Sequence, residues 1–135
     1  MQTLRNSFVW SLVSMAIAAP TSVFAYDQKL QQQFEQLDPE TRLEQVCDSA
    51  VMDAVNQQVP SMRADRVIAY TFKNPTIDGN EIVAPGASIR GQGKKWFHIS
   101  FLCQTGPKHL HAHELSYELG AEIPRDEWED HNLFD

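Results

Sequence analysis

Three histidines at alternate positions, His109, His111 and His113, have the spacing in this sequence that most directly suggests chemistry. On a β-strand, alternate side chains point to the same face, so three imidazoles would lie close enough to share Zn²⁺ or Cu²⁺. Glu114 and Glu118 have the opposite parity, and no carboxylate within the strand completes the ligand set. The pattern predicts either a metal site on this histidine ladder or ordinary surface and strand-end histidines.

Ser100 and His98 are the residue types that hydrolysis would require, a nucleophile and a base. They lie two residues apart on one predicted strand, so their Cβ atoms are about 6–7 Å apart, too far for a direct hydrogen bond. The sequence has no G-x-S-x-G, P-loop or H-E-x-x-H motif. We therefore expect no catalytic residues and no cofactor, which favours a protein that is not an enzyme.

The first 25 residues have the features of a secretory signal peptide. Arg5 provides a positive charge, an apolar run from Phe8 to Ala19 follows, and Val23-Phe24-Ala25 is a cleavage site. The apolar run is shorter than the ~20 residues of a membrane-spanning helix. We predict export, cleavage after Ala25 and no transmembrane segment in the mature chain.

The mature chain, residues 26–135, is long enough for one domain with a single core. It carries ten Lys and Arg residues against eighteen Asp and Glu residues, a net charge of −8 with histidine neutral. A chain of that charge repels phosphate backbones, so we expect no nucleic-acid partner.

The chain has two cysteines, Cys47 and Cys103. Export places them in an oxidising compartment, where a disulfide persists, so we predict that they pair. The bond would close a loop of 57 residues, worth roughly 4 kcal/mol in the chain-entropy model. Pairing uses up both thiols, which argues against cysteine catalysis.

The first element that must position these residues is one strongly encoded helix. Asp38 suits the N-cap, Pro39 suits the first turn, and apolar residues recur at helical spacing from Leu43 to Val55. We predict one helix over about residues 39–58. The polar segment 26–37 before it is expected to be either a frayed helix or a mobile N-terminus.

The second element is a sheet whose central strand is Lys95–Thr105. Its apolar face holds Phe97, Ile99, Phe101 and Cys103. The other predicted elements are strands Arg66–Phe72, Ile82–Arg90 (interrupted at Pro85-Gly86) and Leu110–Leu119, and a short helix from Pro124. We predict an α+β fold, with one long helix on a four-stranded, mainly antiparallel sheet and one disulfide.

The opposite face of the central strand carries Trp96, His98 and Ser100, which Arg90 of the neighbouring strand would extend. A tryptophan beside polar groups on an open sheet face is typical of a partner-binding patch. The alternative is that the C-terminal segment, which contains three more large apolar residues, folds over Trp96 and forms a second core.

Four runs in the mature chain carry a family resemblance: LDPETRLEQVCDSAVM, RADRVIAYTF, APGASIRGQGKKWFHISFLCQT and LGAEIPRDEW. Together they resemble the family numbered 930 among the domains of unknown function, which is found in exported proteins of Gram-negative bacteria. The resemblance implies a periplasmic location, and none of the runs is a catalytic motif.

Two functions remain as hypotheses. The first is a non-enzymatic periplasmic interaction or binding module of the cell envelope, whose partner is an envelope protein or a small ligand. The second is a periplasmic metal-binding protein or metalloenzyme that uses the histidine ladder. The first rests on export, on the predicted disulfide and on the missing catalytic motifs.

Overall fold

The computed structural model describes residues 22–135, with side chains from residue 28 onward. Within this range the chain forms two α-helices and five strands: α1 (Ser22–Glu35), α2 (Pro39–Gln58), β1 (Arg66–Ile68), β2 (Thr76–Asp78), β3 (Glu81–Gly91), β4 (Lys95–Thr105) and β5 (Ala112–Glu122). Short 3-10 turns occur at Pro60–Met62, Arg125–Glu127 and Glu129–His131. The predicted signal peptide lies outside the described residues, apart from the backbone of its last four positions.

Helix α2 begins and ends where its sequence signals predict. The Asp38 carboxylate accepts a hydrogen bond from the Thr41 backbone N–H at 3.1 Å, which satisfies one free donor of the first turn. Residues one turn apart form its buried face: Leu43, Cys47, Val51 and Val55. The predicted helix over residues 39–58 is confirmed.

The segment before α2 is helical. The Arg42 guanidinium donates hydrogen bonds to the carbonyl oxygens of Phe34 (2.9 Å) and Leu37 (2.8 Å), and so binds the end of α1 to the start of α2. Of the two expectations for this segment, the structure agrees with a helix. Neither of the described helices is long and apolar enough to cross a membrane.

The sheet is antiparallel, with strand order β1-β3-β4-β5, and β2 pairs with β3 further along the same edge as β1. Helix α2 covers one face and packs on Ile99, Phe101 and Cys103 of β4, as their parity predicts. The predicted disulfide between Cys47 and Cys103 is present, with 5.9 Å between the Cα atoms. The α+β fold with a helix bonded to the central strand is thus confirmed.

The first part of the sheet differs from the prediction. Strand β1 ends at Ile68 and not at Phe72, because the Thr71 hydroxyl donates to the Ile68 carbonyl oxygen (3.2 Å) and turns the chain. The unpredicted β2 follows and leads through Gly79, in a left-handed conformation (φ +58°), into β3. The sheet therefore has five strands within the described residues where four were predicted.

Pro85 lies inside β3 without weakening the sheet. A β-bulge falls between Ala84 and Ala87, and on the outer side this stretch is opposite the gap between β1 and β2. The missing N–H of proline therefore removes no hydrogen bond there. Gly86 is required at this point because a Cβ would lie 2.6 Å from the Lys73 backbone nitrogen. The interruption predicted at Pro85-Gly86 is a bulge within one continuous strand.

Strand β5 begins two residues later and ends three residues later than the predicted Leu110–Leu119. Among the described strands it pairs with β4 alone, so its other edge is open. The predicted C-terminal helix from Pro124 takes the form of two 3-10 turns. The reason is that its buried residues, Ile123, Trp128 and Leu133, recur every five positions and do not fit the helical period.

These C-terminal residues cover Trp96 and form a second core with it. Trp96 is fully buried, and its indole Nε1–H donates to the Phe134 carbonyl oxygen at 2.9 Å. The Trp128 indole Nε1–H donates to the Ile123 carbonyl oxygen at 3.0 Å. Of the two expectations for Trp96, the structure agrees with the covered one, because the chain itself buries this large apolar surface.

Candidate functional site

A cleft of about 640 Å³ lies between α2, the chain from β1 to Thr71, and the C-terminal segment. We call it the α2–β1 cleft. Its walls are formed by Gln45, Asp48, Ser49 and Met52 of α2, by Asp65–Ile68, Tyr70 and Thr71, and by Asp130–Asn132 and Phe134. The volume is in the range of small-molecule sites in proteins.

Two aromatic side chains at the cleft are unusually exposed. Tyr70 is 58% exposed and Phe134 is 51% exposed, and within the described part of the chain they are the exposed large hydrophobic residues. Both line the α2–β1 cleft. Large apolar side chains that remain exposed at one place mark a site of interaction more often than scattered ones do.

Asp48 is the most unusual polar group in the cleft. Asp48 is 6% exposed, and its Oδ1 is the one buried side-chain nitrogen or oxygen atom of the described residues that has no hydrogen-bond partner. Burial, and then the charge of Glu44 one helical turn away, raise the pKa of Asp48 to about 8. The cleft therefore contains a carboxyl group that is mostly protonated at neutral pH and has a free oxygen.

Two other charged groups of the cleft, Asp65 and Arg66, are already engaged. Asp65 forms a bidentate ion pair with Arg90, with N–O distances of 2.8 and 3.0 Å, and this contact lowers the pKa of Asp65. The Arg66 guanidinium lies over the Phe134 ring, 5.4 Å from its centroid. Asp48 differs from these groups because it has a polar atom that nothing in the described protein satisfies.

The raised pKa of Asp48 predicts an unusual dependence of stability on pH. The folded state retains a proton that the unfolded state releases above its ordinary pKa of 3.8. The contribution of Asp48 to the free energy of unfolding should therefore be largest near pH 4 and fall as pH rises from about 4 to 8. Asp48→Asn should remove this decrease and be more stable than the wild type at pH 8.5 by about 1–3 kcal/mol.

Urea unfolding between pH 5 and 8.5 measures this effect. Asp53→Asn is the matched control, because Asp53 is an exposed carboxylate on the same helix and its replacement removes the same charge. It should leave the pH dependence unchanged. A wild-type stability that does not fall over this range would show that Asp48 titrates normally.

The four residues of the predicted partner-binding patch are not joined in one exposed surface. Trp96 is buried, Arg90 pairs with Asp65, and the His98 ring stacks on Phe72 with 4.6 Å between the centroids. Ser100 lies in a shallow depression further along the same sheet face, beside Leu102 and Ser116. The His98 and Ser100 side chains form no hydrogen bond with each other in the described structure.

The three histidines of the predicted ladder do not share a strand face. His109 precedes β5 in a left-handed conformation (φ 54°), and its ring nitrogens contact the Pro39 carbonyl oxygen at 2.7 Å and Asn80 Oδ1 at 3.0 Å. His111 also precedes the strand, and His113 occupies a bulge where β4 and β5 change register. Residues 22–135 contain no group of three or more His, Cys, Asp or Glu side chains that could hold a metal ion.

Asp48 was missed in the sequence, although a signal for it exists. It directly follows Cys47 on the predicted helix and lies one turn before Met52, so it borders the buried face. It also lies one turn after Glu44, a like-charged pair that costs free energy on a helix. Such a pair beside a buried stripe indicates a carboxyl group whose ionised form is disfavoured.

The comparison with protein families gives one match. The family model described as Domain of Unknown Function (DUF930) matches residues 34–133. The match includes α2, the whole sheet and all the residues of the α2–β1 cleft except Phe134. No curated protein and no solved structure matches the chain.

Proposed function

We propose that this chain, which belongs to the Domain of Unknown Function (DUF930) family, is a non-enzymatic binding module of the Gram-negative periplasm that holds a ligand in the α2–β1 cleft. The observation that carries the proposal is the convergence of Tyr70, Phe134 and the unpartnered Asp48 on one cleft. Binding sites typically combine apolar walls with a few polar groups that orient the ligand.

The periplasmic part of the proposal rests on the sequence and on the disulfide. The first 25 residues have the pattern of a cleaved signal peptide. The Cys47–Cys103 bond is of the kind that persists in an oxidising compartment and is rare in the cytosol.

Binding is favoured over catalysis by the surroundings of Asp48. A general acid or base needs a partner that orients it and a reacting group within hydrogen-bond reach. Asp48 Oδ1 has no hydrogen-bond partner, and the Thr71 hydroxyl of the same cleft is engaged with Ser88 at 2.6 Å. The cleft therefore has a polar anchor without an assembled catalytic set.

The proposal predicts where small molecules will bind. In an NMR screen of uniformly labelled residues 26–135 against a mixed library of fragments, cationic, neutral and anionic, the shifts should cluster at Asp48, Tyr70, Thr71 and His131. Tyr70→Ala should weaken binding of the hits by about tenfold, the effect of removing one aromatic contact of roughly 1.4 kcal/mol. Its fold should be unaffected because the ring is exposed.

Leu102→Ala is the control variant, since Leu102 lies in the shallow depression beside Ser100, which shares no lining residue with the cleft. It should leave fragment affinity unchanged. Hits that cluster in that depression, or a library without any hit at the cleft, would refute the assignment of the cleft as the binding site.

A further inference from the structure

We propose that the ligand of the α2–β1 cleft carries an organic ammonium group on an apolar stem, and that Asp48 binds this cation. The inference rests on the proposed function and specifies the chemistry of its ligand. It is carried by the free oxygen of Asp48, by the balance of charges around it and by the two exposed aromatic rings.

One oxygen of the buried Asp48 carboxyl group has no hydrogen-bond partner. Asp48 is buried on a helix that packs against the core, so water compensates it poorly, and no described donor replaces that water. A buried carboxylate without a partner is costly, and a charge-assisted hydrogen bond from an ammonium group is among the strongest ways to satisfy it. Asp48 lines the cleft, so a ligand with such a donor would bind next to its carboxyl group.

The charge around Asp48 is predominantly negative. Asp130 lines the cleft together with Asp48, and Glu44 lies one turn from Asp48 on α2, while Asp65 is neutralised by its ion pair with Arg90. Arg66 is the guanidinium that lines the cleft. It lies over the Phe134 ring and leaves Asp48 unpaired. The excess of carboxylates attracts cations and repels anionic ligands.

Two exposed aromatic rings lie at the same cleft. Tyr70 and Phe134 offer apolar surface on the same cleft as Asp48. The Phe134 ring already accepts the Arg66 guanidinium on its face, which shows that a cation fits against it. The rings would contact the apolar stem of the ligand while its ammonium group reaches the carboxyl group.

The protonation of Asp48 should make the affinity for the ligand depend on pH. The ammonium group binds the ionised carboxyl, so binding must expel the proton that Asp48 holds below pH 8. Affinity should rise by up to about tenfold per pH unit up to pH 8 and then level off. The other ionisable groups that line the cleft are Asp65 and Arg66 near β1, and Asp130 and His131 in the C-terminal segment; Glu44 on α2 does not line the cleft but acts on Asp48 through its charge.

Calorimetry with three probes of nearly equal size tests the inference: phenethylammonium, 2-phenylethanol and 3-phenylpropionate. At pH 8.5 the cation should bind at least about tenfold more tightly than the alcohol, and the anion should bind least. Between pH 8.5 and 6.5 the cation should lose about tenfold or more in affinity. Titrations at pH 7 in buffers of different ionisation enthalpy should show the release of most of one proton for each cation bound.

Three variants test whether Asp48 causes the preference for the cation and the release of the proton. Asp48→Asn should abolish both the preference for the cation and the proton release, while Asp53→Asn should change neither. His131→Gln replaces the one histidine that lines the described cleft, and the pH dependence should persist in it. Thermal unfolding of each variant verifies that it is folded before titration.

An ammonium group can come from a free amine or from a protein side chain, so the calorimetry is repeated with a capped tripeptide that has lysine next to phenylalanine. Binding of phenethylammonium or of the tripeptide, with loss of binding in Asp48→Asn, supports the inference and identifies the source of the ammonium group. Failure of both cations to bind, or equal affinity for the cation and the alcohol, overturns it. If neutral or anionic fragments still bind at the cleft, the proposed binding module stands without its cationic ligand.

Discussion

Replacing Cys47 or Cys103 by serine is expected to lower the free energy of unfolding by about 2–5 kcal/mol. The disulfide joins α2 to the central strand across a sequence separation of 56 residues, so its loss frees a long segment of the unfolded chain. For a domain of this size such a loss corresponds to a decrease in melting temperature of roughly 10–30 °C. Urea unfolding monitored by circular dichroism measures it.

Reduction of the wild-type protein is the control for this experiment. Dithiothreitol should destabilise the wild type and leave Cys47→Ser unchanged, since the variant has no bond to lose. We propose export to the periplasm, and we expect wild-type protein recovered from that compartment to begin at Tyr26 and to contain no thiol that alkylates under denaturing conditions, which intact mass reports. Equal melting temperatures for wild type and variant would show that the bond contributes nothing to stability.

Trp96→Ala should destabilise the protein by about 3–5 kcal/mol. Trp96 is the largest fully buried side chain in the described structure, and it packs against Ile123, Trp128 and Leu133. Its removal leaves a cavity under the C-terminal segment and also removes the hydrogen bond to Phe134. Because this segment forms one wall of the α2–β1 cleft, the variant should also lose ligand affinity.

Trp96→Phe separates the loss of packing from the loss of the hydrogen bond, and Tyr70→Ala is the control for truncation of an aromatic side chain. Trp96→Phe retains much of the packing and loses the hydrogen bond, so it should cost less than the alanine variant. Tyr70→Ala truncates an exposed aromatic side chain of the cleft and should change stability by no more than about 0.5 kcal/mol. A Trp96→Ala protein as stable as the wild type would mean that the C-terminal segment does not bury this residue in solution.

Periodic patterns predicted the elements that have a single buried face. Helix α2 has apolar residues one turn apart and an N-cap at Asp38. In β4 alternate residues are apolar, and Cys103 lies on the same face as these residues. Each pattern is local, and each agrees with the face that the structure buries. The disulfide followed because both cysteines lay on those faces and export favours their oxidation.

The parts that escaped prediction depend on individual contacts and not on a repeating pattern of residues. Thr71 ends β1 early through its own hydroxyl group, and β2 has only three residues, too few for an alternating pattern. The C-terminal segment follows a five-residue spacing because it fits over Trp96. No local pattern encodes these arrangements.

The α2–β1 cleft was beyond sequence reasoning for the same reason. Its walls come from α2, from the chain around β1 and from the C-terminal segment, which lie far apart in the sequence. The sequence indicated that Trp96 would be either exposed or covered, and the covering segment creates the cleft. Asp48 was recognisable as a carboxyl group beside the buried stripe, but its lack of a partner appears only in three dimensions.

The open edge of β5 bears on how the protein avoids aggregation. An unpaired strand of eleven residues offers free backbone groups to a strand of another molecule. Glu114, Glu118 and Glu122 are exposed at intervals of four residues along it. Two such edges brought together would place these carboxylates near one another, and their repulsion opposes intermolecular strand pairing. The edge is thus protected by charge, without a proline within the strand.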